Sequence, residues 1–107
     1  MSLRFAPEIS LRMRRALMSR GQALATMLAD VLAGKHPPSI ESLLSEKPGA
    51  RPEEVLRQAL DQVETRRKLI DADDDRFGRC DICGEDLGEA AMLEVPWADR
   101  CPAHASV

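Results

Sequence analysis

The sequence predicts a mainly α fold: an antiparallel helical hairpin of coiled-coil type, followed by a small C-terminal appendage. Three observations lead there. Aromatic side chains make up only 3% of the 107 residues, too few for a typical globular α/β core. Two stretches of similar length repeat apolar residues in steps of three, four and seven, the spacing of one helix face. All three cysteines lie in two short pieces near the end of the chain, Cys80-Asp81-Ile82-Cys83 and Cys101-Pro102-Ala103-His104.

Residues 1–7 read as a lead-in, with Pro7 suited to the first turn of a helix. The first helix is expected over about 8–33, with Met13, Leu17, Leu24, Leu28 and Val31 on one face. At 1.5 Å per residue this is a rod of roughly 38 Å. Gly21 falls on the same face. There it either admits a close neighbouring helix or simply weakens its own. Ala33-Gly34 and then Lys35-His36-Pro37-Pro38 stop the helix, because glycine releases the backbone and proline prevents a restart.

The bend is expected over 34–51. Within it Ser39 is a candidate cap for a short helical turn through Ile40, Leu43 and Leu44, and Lys47-Pro48-Gly49 is a second break. His36 belongs to the loop. Pro52 opens the second helix, expected over about 52–72, with Glu53 and Glu54 against its positive N-terminal end. Its seam is Leu56, Leu60, Val63 and Ile70. Arg67 stands at the missing seam position, where its charged head is expected to reach solvent along an aliphatic stem. Neither helix is stable alone. Pairing them buries about ten aliphatic side chains at roughly 1.5–3 kcal/mol each, so they are expected to pack antiparallel. The open end of this hairpin, residues 1–75, should lie beside the appendage, residues 76–107.

Asp71-Ala72-Asp73-Asp74-Asp75 places acids at a helix C-terminus, which disfavours them. The helix should fray there or be held by a basic partner. The run departs from a calcium loop: Arg76 stands where the sixth-position glycine belongs, and Ile82 where the twelfth-position glutamate belongs. It reads as a solvated hinge. Phe77 should pack where helix meets appendage.

The appendage carries the chemistry. Its pattern is C-x2-C-x17-C-x2-H: Cys80, Cys83, Cys101 and His104. Two residues between ligands let one tight turn aim both side chains at a single ion, and Gly84 supplies the backbone freedom for that turn. Three thiolates and an imidazole complete a tetrahedral zinc shell. Four good ligands leave no open position for water or substrate, so the predicted zinc is structural rather than catalytic. Leu87, Met92, Leu93, Val95 and Trp97 are the only material for a miniature core. Such a core cannot hold some 28 residues without a metal.

Charge is unevenly spread. Residues 1–35 carry a net +4 and residues 80–107 a net −5, within a total of −3. Three thiolates on one divalent ion add about −1 to the finger. Phosphates would repel it, so direct sequence-specific DNA binding is not expected. Arg12, Arg14 and Arg15 form the best basic contact cluster. No apolar run is long enough to cross a bilayer. An odd cysteine count without a secretory signal points to reduced thiols in the cytoplasm. There is no paired acid/base set, phosphate-binding glycine loop or open metal site, so an enzyme is not expected.

Several motifs together resemble the DksA/TraR family of zinc-finger transcription regulators. They are the aromatic-Gly-x-Cys approach (Phe77-Gly78-Arg79-Cys80), the Cys83-Gly84 step, the 17-residue spacing and Pro96-Trp97-Ala98-Asp99-Arg100-Cys101. These motifs cover about 30 residues, and the preceding hairpin fits the same architecture. The resemblance implies a bacterial protein that inserts its hairpin into the secondary channel of RNA polymerase and alters initiation. Family members often act with the nucleotide alarmone ppGpp, through acidic residues at the hairpin tip. Whether such an effector acts here is left open.

This sequence departs from the family in three ways. His104 replaces the common fourth cysteine. Only three residues follow it, so the usual closing helix is expected to be nearly absent. The paired-aspartate tip is missing, and Glu41 and Glu46 are the only acids between residues 33 and 51. The alternative reading is a zinc-stabilised helical interaction module, dimerising or not, with no polymerase role.

Overall fold

The computed structural model describes residues 5–105; residues 1–4 of the expected lead-in and the last two residues lie outside them. Helix α1 runs Pro7–Leu32, α2 Glu41–Glu46, α3 Pro52–Asp71 and α4 Glu89–Glu94, with 3-10 turns at Pro38–Ile40 and Pro102–His104. Among the described residues there is no strand, only an isolated antiparallel bridge between Arg79 and Asp86.

The two long helices begin and end as their chemistry requires. Proline occupies the first turn of each, and acids follow it: Glu8 in α1, Glu53 and Glu54 in α3. At the end of α1, Ala33 N–H reaches the carbonyls of Ala29 and Asp30, and Gly34 N–H that of Val31. Gly34 has φ +83°, a left-handed stop that costs glycine little. The acidic end of α3 is held by a base from the other helix. Arg14 donates to the Ile70 carbonyl at 3.2 Å and pairs with Asp71 at 3.4 Å.

The pairing is antiparallel. Arg14 meets residues 70 and 71, and seven residues further along α1 Gly21 faces Val63, seven residues back along α3. Met13, Leu17 and Leu24 from α1 and Leu56, Val63 and Ile70 from α3 are buried between them. Leu28, Val31 and Leu60 are partly buried at the edges of the same cluster. A Cβ built at position 21 would sit 3.5 Å from Val63 Cγ1, an ordinary contact. The helices therefore do not need a glycine there to meet, and Gly21 is simply a weak point in α1.

The rest of the chain wraps this pair. The bend is not a bare loop: Ile40 is fully buried, Leu43 nearly so, and α2 packs on α3. The short helix α4 packs on α1. Met92 of α4 and Phe77 join the same apolar cluster as the hairpin residues. The finger thus shares the hairpin's core, because its own few aliphatics are too small a set to exclude water.

Four sequence expectations change. The turn in the bend begins at Pro38, and the Ser39 side chain does not cap it. Val95 does not belong to the finger's core, since it is 38% exposed. The missing seam position of α3 is filled by Arg66, 3% exposed, and not by Arg67. Val63 to Arg66 to Ile70 is a step of three and then four, so the seam is continuous but charged at one point. Lastly, the finger does not stop at the open end of the hairpin. It folds back along one flank until Trp97 meets Arg20, halfway along α1.

Candidate metal centre

Two short turns build the site. In the first, Gly84 N–H closes onto the Cys80 carbonyl at 2.9 Å, and Cys80 N–H onto that of Glu85 at 2.9 Å. Gly84 takes φ +75°, a conformation a larger residue would resist. In the second, Pro102 starts a 3-10 turn in which His104 N–H reaches the Cys101 carbonyl at 2.9 Å. Asp81 N–H bonds the Asp99 carbonyl at 2.8 Å and so ties one turn to the other. Seventeen intervening residues, folded around α4, bring the two turns face to face.

The four predicted ligands converge. One donor atom each from Cys80, Cys83, Cys101 and His104 lies within 4.8 Å of all the others. Cys83 Sγ is 3.8 Å from Cys101 Sγ, and Cys80 Sγ is 3.6 Å from His104 Nδ1. A tetrahedral ion with zinc–sulfur and zinc–nitrogen bonds of ordinary length requires edges of ~3.8 Å and ~3.6 Å. Those two edges fit, while Cys101 Sγ and His104 Nδ1, at 3.1 Å, sit closer. The cluster can hold one metal ion. Cys80 and Cys101 are buried, His104 is half-buried and Cys83 is exposed.

The local electrostatics favour metal binding unequally. Burial pushes the Cys80 thiol up, but backbone hydrogen bonds from Cys101, Cys83 and Ile82 together outweigh it and bring the thiol down from 9.0 to about 6. Burial raises Cys101, and the neighbouring Cys83 and Cys80 sulfurs add to that rise. A bound cation reverses the second effect, since metal ligation requires the thiolate.

The site is fastened to the hairpin by a residue that the helix pattern had hidden. Arg66 Nη2 donates to both oxygens of Asp81, at 3.2 and 3.3 Å. Asp81 sits between Cys80 and Ile82, so α3 is ion-paired to the first ligand turn. The 3-4 spacing of Val63, Arg66 and Ile70 is compatible with Arg66 in the seam, but the 4-3 spacing through Arg67 is equally so, and no sequence signal chose between them. Phe77 provides the other attachment, packing edge-on against Phe5 with ring centroids 6.1 Å apart.

The predicted contact residues do not gather at this site. Arg12 and Arg15 are exposed on α1. Arg14 is not free to join them, being committed to α3. Glu41 pairs with His36 Nε2 in the bend. Glu46 is exposed at the end of α2, near enough to Arg20 to interact through its charge. The acidic run after α3 is partly neutralised: Asp74 pairs with Arg76, whose hydrogen bonds hold the carboxyl down at about 2.

The chain is similar in part to a curated protein, the RNA polymerase-binding transcription factor DksA of Haemophilus influenzae, 40% identical over 45 residues. The match covers 42% of this chain and 30% of that protein, so the chain spans under a third of its relative's length. No family model matches the chain, and no solved structure does. The likeness and the cysteine-histidine cluster support a DksA-like relationship at most. Among the described residues no helix is long and apolar enough to cross a membrane.

Proposed function

We propose that this chain is a bacterial RNA polymerase-binding transcription regulator of the DksA/TraR type, with zinc in a purely structural role. The observation that carries the reading is the convergence of Cys80, Cys83, Cys101 and His104 beside a helical hairpin, in a chain partly similar to a polymerase-binding factor. Zinc is the metal that three thiolates and one imidazole select in a tetrahedral site. Four protein ligands leave it no open position, so the protein binds and does not catalyse. The metal keeps the finger folded. The finger braces the hairpin through Arg66, Phe77 and Trp97, and the hairpin is the contact arm. Arg12 and Arg15 are the cations available on α1 for an acidic partner. DNA recognition is left to the polymerase.

The bend favours a second reading. Its Ile40 and Leu43 are buried, α2 lies against α3, and Glu41 is paired with His36. A bend so occupied suits a general interaction module better than an acidic tip that reaches into a narrow channel. One experiment separates the two. Purified core RNA polymerase from a bacterium is used to capture wild-type protein and an E41Q/E46Q variant. The first reading expects capture of wild type, competition by a secondary-channel ligand, and weaker capture of the variant. Absence of capture refutes it. Capture of both proteins equally, without competition, favours the interaction module.

A further inference from the structure

A groove of about 580 Å³ lies between α2, α3 and the finger, and its finger wall includes Arg100 and Ala105, the neighbours of Cys101 and His104. Its volume falls within the ordinary range for small-molecule sites, roughly 300–1,000 Å³. We propose that it binds a small organic monoanion with an apolar body, held at its charged end by Arg20. The inference goes beyond polymerase binding and stands or falls without it.

Arg20 is the first argument. Its guanidinium carbon lies 4.5 Å from the centre of the Trp97 ring, so the indole fixes the plane of the group. Its Nε is buried, and no described residue accepts a hydrogen bond from it. That nitrogen is closed to solvent, so an oxyanion in the groove meets the outer Nη groups instead, which make no hydrogen bond or ion pair with another described residue. Burial lowers the arginine's basicity, while the charge of Glu46 supports it from a distance. No salt bridge joins the two, so a ligand can occupy the space between them.

The lining sets the ligand's character. Arg20, Lys47 and Arg100 oppose Glu46 and Asp99 in the wall, a formal excess of one positive charge. One negative charge balances it. Polyphosphates carry several, and Glu46 and Asp99 would repel the surplus. Lys47 spends one of its three N–H donors on Gln58 at 2.6 Å, so it supplements Arg20 at the charged end of the ligand. Leu43, Val55 and Ala59 supply an apolar floor for the body of the ligand. A monocarboxylate with an alkyl or aryl tail satisfies all of these conditions.

Trp97 is the single tryptophan in the chain and stands at the site, so its fluorescence reads occupancy directly. The zinc-loaded protein is titrated with hexanoate, hexan-1-ol and pyrophosphate. The expected result is a saturable change with hexanoate, and binding at least about tenfold weaker for the alcohol and for pyrophosphate. Arg20→Gln, checked for helix content and zinc, should weaken hexanoate about tenfold, the worth of one charge-assisted hydrogen bond. Glu46→Gln, on an exposed side chain, should tighten it a few-fold. No saturable response to hexanoate overturns the proposal. So does equal binding of hexan-1-ol, tighter binding of pyrophosphate, or loss of affinity in Glu46→Gln. If Arg20→Gln fails to fold, the alcohol comparison and Glu46→Gln decide.

Discussion

Removing Asp81 should destabilise the protein more than removing Arg66, although the two form one ion pair. The Arg66 side chain is 4% exposed and that of Asp81 43%. Arg66 Nη2 is satisfied by the carboxylate, while Nε and Nη1 are buried without a hydrogen-bond partner among the described residues. Asp81→Ala therefore leaves a buried guanidinium with nothing opposite it. Breaking a fully buried pair this way costs about 3–5 kcal/mol. Solvent already reaches Asp81 and takes over part of its role, so we expect about 1–3 kcal/mol. Arg66→Met keeps an apolar stem that ends short of the guanidinium, and removes the charge together with the unpartnered Nε and Nη1. Apolar replacement of a buried charge is commonly close to neutral, so its expected cost is under about 1 kcal/mol. In the double variant, Asp81→Ala should add little to Arg66→Met, because the stranded charge is gone. The assay is urea unfolding followed by far-ultraviolet circular dichroism, with excess zinc, comparing midpoints at equal slope. An Asp81→Ala protein as stable as wild type, or an Arg66→Met protein weaker than Asp81→Ala, refutes the reasoning.

Three further outcomes are expected. Chelation, or Cys80→Ser, should abolish binding of one zinc per chain and unfold the finger, raising amide exchange at Phe77, Met92 and Trp97 before the middle of α1; metal analysis and hydrogen exchange check this. Gly21→Ala should stabilise by about 0.5–1 kcal/mol, since the added methyl meets Val63 at 3.5 Å without overlap and the helix loses its most flexible residue; destabilisation in thermal melts would contradict the packing. The Cys80 thiol is lowered from 9.0 to about 6 in the fold, so its contribution is complete above the unfolded value and is lost as pH falls through about 6. Zinc competes with protons for that sulfur, so zinc retained after dialysis should decline only below that region, whereas loss of zinc at pH well above about 6 would argue against the preformed thiolate.

Much of the fold was legible in the order of residues. Pro7, Gly34, Pro52 and the two apolar seams mark the long helices to within a residue or two, because caps and periodicity are local properties. The cysteine-histidine cluster was legible for a similar reason: Cys80 with Cys83, and Cys101 with His104, are each one turn apart, and two such pairs suit a shared ion. The acids after Asp71 announced a need for a basic partner, but only the pairing of the helices supplied Arg14.

The seam charge, the packed bend and the groove were not legible. Arg66 and Arg67 are adjacent, and helical spacing alone cannot say which of them turns inward when the seam rotates by a fraction of a turn. Ile40 and Leu43 read as a short helical turn, yet their burial depends on α2 folding onto α3, two elements joined by a break at Pro48 and Gly49. Trp97 lies 77 residues from Arg20, and nothing along the chain links them. Local chemistry determined where helices start, where they stop and which side chains can share a metal. The tertiary structure decided which surface the finger covers, because that choice depends on the joint burial of Phe77, Met92 and Trp97 against a hairpin that exists only once its two helices have paired.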